Sequence, residues 1–282
     1  MKEKIKVLLL GGYGLLGSYF REIQNDFSNL SIFAPKKEDL DFSDFAAITE
    51  AISEFGPRFV INCAAYTDVD GAETNSADAF MLNSAGVKNL AQACEKKQAT
   101  LIHFSTDYVF DGENPAGYIE NDEPNPINIY GESKLKGEAH IAEVMSKFYI
   151  VRTAWLFGKY GRNFVDTMRK LALERTHLSV VNDQVGSPTY ALDLAKAVIE
   201  NFILSEPDYG IYHMTNSGKA SWFELAKEIF LRTGTNNLVK PVSSAEFPRP
   251  ARRPAFSILQ NTKLPLMRDY REALSEYLSI TP

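Results

Sequence analysis

The feature that most constrains this chain is Val7-Leu8-Leu9-Leu10 running straight into Gly11-Gly12-Tyr13-Gly14-Leu15-Leu16-Gly17. An apolar residue at every position marks a strand covered on both faces, which is the habit of parallel sheets. The glycines at 11, 14 and 17 then allow a tight turn, close backbone approach and immediate entry into a helix running to about Ile23. A chain that begins in this way is committed to strand–turn–helix units packed on a common sheet.

The rest of the first half repeats the pattern. Leu30 to Ala34 reads as a strand closed by Pro35, Phe42 to Phe55 as a helix, and Phe59 to Cys63 as a strand. A long helix over Asp78 to Lys97, a strand over Thr100 to Ser105, a helix over Asn128 to Ser146 and a strand over Phe148 to Arg152 follow. Such alternation predicts an α/β, doubly wound parallel sheet, the Rossmann fold, through right-handed crossovers. The second half is less regular: helices over 164–173, 191–204 and 222–232, strands over 178–181 and 210–214, an irregular lid over Pro241 to Pro254, and helix-like spacing from Ile258 to Leu278. We therefore expect residues 1–156 plus 192–216 to form a dinucleotide-binding domain, and residues 157–191 plus 217–282 a smaller C-terminal substrate-binding domain. No internal repeat or low-complexity tract is present.

A helix N-terminus opened by glycines offers free N–H groups and positive partial charge to a pyrophosphate. Gly11, Gly14 and Gly17 are accordingly the first cofactor candidates. An acid near the end of the second strand would favour NADH; Lys36 and Lys37 stand there instead and could pair with a 2′-phosphate. NADPH is the expected cofactor, with NADH the alternative.

Composition removes other classes. The 282 residues hold 30 Lys and Arg against 36 Asp and Glu, a net charge of −6, and no basic stretch suited to nucleic acid. Cys63 and Cys94 fit no zinc spacing and suggest a reducing compartment. The short apolar run before Gly11 is too brief for a signal-peptide core or a membrane span, so a cytoplasmic, membrane-free protein is expected. His103, His140, His177 and His213 are scattered and read as structural, with no metal site. Asp68, Asp70 and Glu73 read as a solvated acidic loop.

Tyr130 and Lys134 lie four apart, on one helix face. An ammonium beside a phenol would pull the tyrosine down from about 10, fitting it to protonate a carbonyl oxygen receiving hydride. Ser105-Thr106-Asp107 sits at the carboxyl end of a strand, where open α/β sheets place their sites, and a hydroxyl there can hold the same oxygen.

These residues resemble the extended short-chain dehydrogenase/reductases. With Asn62-Cys63-Ala64-Ala65-Tyr66-Thr67, Ser105 to Gly112, Arg152 to Gly158, Asn182 to Thr189 and Ala251-Arg252-Arg253-Pro254, the chain is similar, over nearly its whole length, to the dTDP-4-dehydrorhamnose reductase family. The resemblance implies Thr106, Tyr130 and Lys134 as catalytic residues. It implies Gly11, Gly12, Tyr13, Gly14, Leu15, Leu16, Asp41, Phe42, Ala64, Ala65, Tyr66, Phe104, Tyr130 and Lys134 along the cofactor. It places Thr106, Asp107 and Trp155 at the sugar, with Gln184 and Arg252 near the nucleotide. The implied reaction is reduction of a nucleotide-linked 4-keto-6-deoxysugar, a step of surface-polysaccharide precursor synthesis. Two departures stand out. Gly71 replaces a lysine of relatives, and no matching acid is found before the glycine run or at Leu192, so the magnesium-bridged dimer of some relatives does not carry over and a homodimer stays open. Two further readings are a reductase for another dTDP-4-keto-6-deoxysugar and a dinucleotide-binding regulatory subunit resembling that of methionine adenosyltransferase. Intact Thr106, Tyr130 and Lys134 favour an enzyme.

Overall fold

The computed structural model describes residues 4–235 and 238–280. The first half contains β1 (Ile5–Leu10), α1 (Leu15–Ile23), β2 (Leu30–Phe33), α2 (Phe45–Phe55), β3 (Phe59–Asn62), α3 (Val69–Thr74), α4 (Ser76–Phe80), α5 (Gly86–Lys97), β4 (Thr100–Thr106), α6 (Ile129–Val144) and β5 (Phe148–Thr153). After it come β6 (Leu156–Phe157), α7 (Phe164–Glu174), β7 (His177–Val181), β8 (Val185–Gly186), β9 (Thr189–Tyr190), α8 (Ala191–Val198) and β10 (Gly210–His213). The chain closes with β11 (Asn216–Ser217), β12 (Ala220–Ser221), α9 (Trp222–Thr233), β13 (Leu238–Val242), β14 (Met267–Asp269) and α10 (Tyr270–Ile280).

Six strands form one parallel sheet in the order β10-β5-β4-β3-β1-β2. The doubly wound Rossmann sheet expected from the alternation is therefore present. β1 sends its side chains to opposite faces in turn: Val7 and Leu9 pack with Leu16, Tyr19 and Phe20 of α1 and with α8, while Leu8 and Leu10 pack with Ile48, Ile52, Leu90 and Ile141. All four residues of β3 are buried. Each such side chain contributes about 1.5–3 kcal/mol by leaving water, which explains why a continuous apolar run, rather than an alternating one, specifies these strands. The strand order reverses between β1 and β3, opening a crevice beyond their carboxyl ends.

Several boundaries differ from the sequence reading, each for a local reason. The helix expected from Phe42 starts at Phe45 because the Asp44 side chain caps it, accepting from Ala47 N–H at 3.0 Å. The single helix expected over Asp78 to Lys97 is interrupted by a wide π-type turn at Met81–Ala85. That turn aims Asn83 at Tyr66, whose N–H donates to Oδ1 at 2.9 Å and whose carbonyl accepts from Nδ2 at 3.0 Å. The helix expected to Leu204 likewise widens at Ile199–Leu204. Helix is absent from 258–269, where Ile258 O and Gln260 N–H are bonded to Tyr118, and it starts at Tyr270. No helix among the described residues is long and apolar enough to cross a membrane.

Candidate active site

At the end of β1 the backbone reverses at Gly11, which has φ +70°. A Cβ there would lie 2.6 Å from Ala64 N, and one at Gly17 would lie 2.2 Å from Gly11 O, so both positions exclude any side chain. Gly14 differs: its nearest neighbour would be Gly11 O at 3.5 Å, leaving its cleft side open. This bare turn at the start of α1 is a cradle shaped for a dinucleotide pyrophosphate.

Two adjoining cavities meet at the turn, sharing Gly14, Cys63, Ala64 and Ala65. The smaller, 300 Å³, runs past Gly11, Tyr13, Lys37, Asp41 and Phe42. Lys36 and Gly12 do not line it; Lys36 is exposed. Lys37 pairs with Asp41 at 3.9 Å, and the Asp41 carboxylate, held by Ser43 N–H and hydroxyl, stays below the usual range. Tyr66 is beside the cavities rather than in their lining, fixed by Asn83.

The larger cavity, 530 Å³, is lined by Leu15, Leu16, Phe104, Thr106, Asp107, Tyr130, Lys134 and Trp155 among others. Thr106 ends β4, with its hydroxyl donating to Asp107 Oδ1 at 2.9 Å and accepting from Tyr108 N–H at 3.2 Å. Burial pushes the Asp107 carboxyl up to about 6, against the pull of the Ser257 and Thr106 hydroxyls. Its Oδ2 lacks a hydrogen bond of good geometry. Asn128 caps α6 through Gly131 N–H at 2.8 Å, and a Cβ at Gly131 would collide with Tyr108 O at 2.0 Å. Helix and loop are thereby locked, and Tyr130 is delivered beside Thr106.

The electrostatics differ from the sequence expectation. Tyr130 is raised to about 12, because burial, joined by the Asp107 charge, outweighs the lowering effect of the nearby Thr106 hydroxyl. Lys134 does not offset this. Its Nζ donates to Phe104 O at 2.6 Å and meets His103 Nε2 at 3.3 Å. Burial lowers Lys134 to about 8, opposed chiefly by Glu138 one turn further along α6. Glu138 forms a buried pair with Arg152 at 2.6 Å and accepts from the Ser105 hydroxyl. Glu138 went unnoticed in the sequence, although its spacing from Lys134 repeats that between Tyr130 and Lys134.

The far wall carries Trp155 and Trp222, the latter unremarked as a site residue beforehand. Trp155 has φ +46°, a left-handed conformation that costs a residue with a side chain about 1–3 kcal/mol. Gln184 is not in the lining: it accepts from Trp222 Nε1 at 3.2 Å and donates to Ser244 Oγ at 2.8 Å. Arg252 is also outside; its side chain is exposed and its carbonyl accepts from Asn128 at 2.9 Å. The lining instead offers Arg162, an exposed cation. The acidic loop is exposed at Asp68 and Glu73, as expected, but its carboxylates are structural partners and Asp70 is drawn in by two arginines. Asp70 accepts from Arg249 Nε at 2.9 Å and Ala251 N–H at 3.2 Å, pairs with Arg253 at 3.0 Å, and so fastens the lid to α3. Glu73 accepts from Ile129 N–H at 3.0 Å. Asp68 caps α3, and its carboxylate occupies the space a side chain at Gly71 would need.

Residues 5–281 match the family described as RmlD substrate binding domain. The chain is 38% identical over 269 residues to dTDP-4-dehydrorhamnose reductase of Aggregatibacter actinomycetemcomitans, covering 92% of each chain. It is 37% identical to a probable dTDP-4,6-dihydroxy-2-methyloxan-3-one 4-ketoreductase of Streptomyces antibioticus, covering 95% of this chain and 93% of that one. It superimposes on the crystal structure of dTDP-4-dehydrorhamnose reductase from Bacillus anthracis in complex with NADP with a TM-score of 0.95 and 42% identity, over 99% of this chain and 100% of that one. With the glycine cradle, the Thr106–Tyr130–Lys134 cleft and these likenesses together, the chain belongs to the family of dTDP-4-dehydrorhamnose reductases.

Proposed function

We propose that this protein reduces the 4-keto group of dTDP-4-dehydro-β-L-rhamnose with NADPH, yielding dTDP-β-L-rhamnose for surface-polysaccharide synthesis. The observation that carries this reading is the convergence of Thr106, Asp107, Tyr130, Lys134 and Trp155 on one cleft that adjoins the glycine turn. The bare turn at Gly11, Gly14 and Gly17 fits the dinucleotide: Gly14 leaves its cleft side open, and a Cβ at Gly11 or Gly17 would collide with the protein's own backbone and spoil the turn. When bound, the reduced nicotinamide supplies hydride to the sugar C4. Thr106 and Tyr130 hold the 4-oxygen, and the Tyr130 phenol, neutral across the physiological range, gives it the proton. Asp107 Oδ2 is available to accept from a sugar hydroxyl. Lys134, anchored on Phe104 O, orients the cofactor ribose and provides positive charge beside the phenolate left behind.

In this reading, residues 1–156 plus 192–216 carry the cofactor and residues 157–191 plus 217–282 the sugar nucleotide, with Arg162 as the cation facing the diphosphate. Cys63 and Cys94 are free thiols, which supports a cytoplasmic location. A second reading, reduction of a different dTDP-4-keto sugar, is favoured by the likeness to the Streptomyces antibioticus ketoreductase. The deciding experiment is NADPH oxidation by the purified protein with a panel of nucleotide 4-keto sugars. Selective turnover of the dTDP-4-dehydrorhamnose substrate is expected. Turnover of another sugar would move the assignment, and binding of NADPH without turnover of any would favour the regulatory-subunit alternative.

A further inference from the structure

Trp155 and Trp222 are the only tryptophans of the chain. They come from separate segments, Trp155 from the turn between β5 and β6 and Trp222 from the first turn of α9, yet their rings stack face to face at 3.4 Å with an interplanar angle of 4°. Both line the larger cavity. The surroundings are built to keep the rings there. A Cβ at Gly186 would lie 2.5 Å from Trp155 Cε2, so no other residue leaves room for the indole. Phe164 packs against Trp222 at 4.6 Å. The indole N–H of Trp222 donates to Gln184 Oε1, Gln184 donates to Ser244, and the Ser244 hydroxyl donates to Asp183 Oδ1 at 2.7 Å.

We propose that Trp222 is a positioning residue for the sugar nucleotide, setting the plane of Trp155 in the substrate cavity and tying it through Gln184 to the loop at Ser244. The proposal rests on the functional reading above, in which Trp155 meets the sugar. Trp155 stands on a left-handed backbone, and it is only partly buried where it lines the cavity. Without a partner across its face, its side chain would have space to rotate. An aromatic partner lying parallel against it holds its plane by close face-to-face contact, and the Gln184 hydrogen bond fixes that partner in turn. This gives Gln184 an indirect role: it acts on the substrate pocket through Trp222 rather than by touching the nucleotide.

The test compares Trp222→Ala, Trp222→Phe and Gln184→Ala with the unmodified enzyme. Trp222→Ala should raise KM for the sugar nucleotide about tenfold with a smaller fall in kcat, while NADPH affinity stays within about twofold. Trp222→Phe, which keeps a stacking face, should recover most of the loss, and Gln184→Ala should fall between them. A spectral arm needs no substrate. The near-ultraviolet circular dichroism of the unmodified enzyme should differ from the sum of the Trp155→Phe and Trp222→Phe spectra less that of the double variant, and titration with dTDP should alter that difference. Additive spectra, an unchanged KM in Trp222→Ala, or equal loss of NADPH affinity would overturn the proposal. Absence of turnover in the unmodified enzyme would overturn the functional reading instead, and the spectra would still decide the stack.

Discussion

Lys134 gives its shortest hydrogen bond to the carbonyl oxygen of Phe104, at 2.6 Å, and not to the phenol one helical turn before it. The lysine is thus fixed to the β4 strand, and its charge sits between His103 and the Glu138–Arg152 pair. Burial and this ammonium keep His103 neutral. Burial raises Tyr130 beside Thr106 to about 12, so its phenol keeps its proton across the physiological range, as the proposed role of proton donor requires.

Tyr130→Phe should therefore lower kcat by roughly 10²–10⁴-fold, with NADPH binding preserved. Single-turnover kinetics and fluorescence titration of NADPH measure the two separately. Near-normal turnover would remove Tyr130 from its role. Lys134→Ala should weaken NADPH as well, because in the proposed function this lysine orients the cofactor ribose.

Asp107 carries a pH prediction. Its carboxyl is raised to about 6, so between the ordinary carboxylate value and 6 the folded protein binds more protons than the unfolded chain. Stability from this group is full at lower pH and is lost as pH rises through that window, by a total of about 3 kcal/mol. Asp107→Asn should raise the melting temperature at pH 7 and flatten the pH dependence of stability between about 4 and 6. The same variant should lose activity toward the sugar. Thermal scans across pH, paired with kcat/KM, check both, and a variant less stable at pH 7 would contradict the assignment.

Lys36 and Lys37 carry a prediction about the cofactor end. Lys37 has a side chain 82% exposed and is paired with Asp41 at 3.9 Å, so its attraction for a 2′-phosphate is screened. Replacing both lysines with Ala should weaken NADPH by about tenfold or less, with NADH little changed. Equal effects on the two cofactors would show that neither lysine reads the phosphate.

At the substrate end, Trp155→Ala should raise KM for the sugar nucleotide and leave NADPH affinity nearly constant. Arg162→Ala should weaken dTDP more than Arg252→Ala does, since Arg162 lines the cavity and Arg252 faces solvent. Calorimetry of dTDP and NADPH against the variants distinguishes the cases. If Arg252→Ala is the more damaging, the diphosphate lies under the lid instead.

Local pattern alone determined the parallel sheet, the glycine cradle and the Tyr130–Lys134 face, because each depends on a short period or spacing that the backbone itself enforces. Val7 to Leu10 must be covered on both faces, and residues four apart on a helix must be neighbours, whatever the remainder of the chain does. The tertiary structure decided the rest. Asp70 meets Arg249 across 179 residues of sequence, Arg152 neutralises Glu138 from another element, and Trp222 reaches Trp155 from the start of α9. No periodicity links such partners. Their contacts follow from how helices and loops close over the carboxyl edge of the sheet. The direction of a pKa shift belongs to the same category: the lysine spacing suggested a lowered Tyr130, but burial, which exists only in the folded chain, moved it the other way.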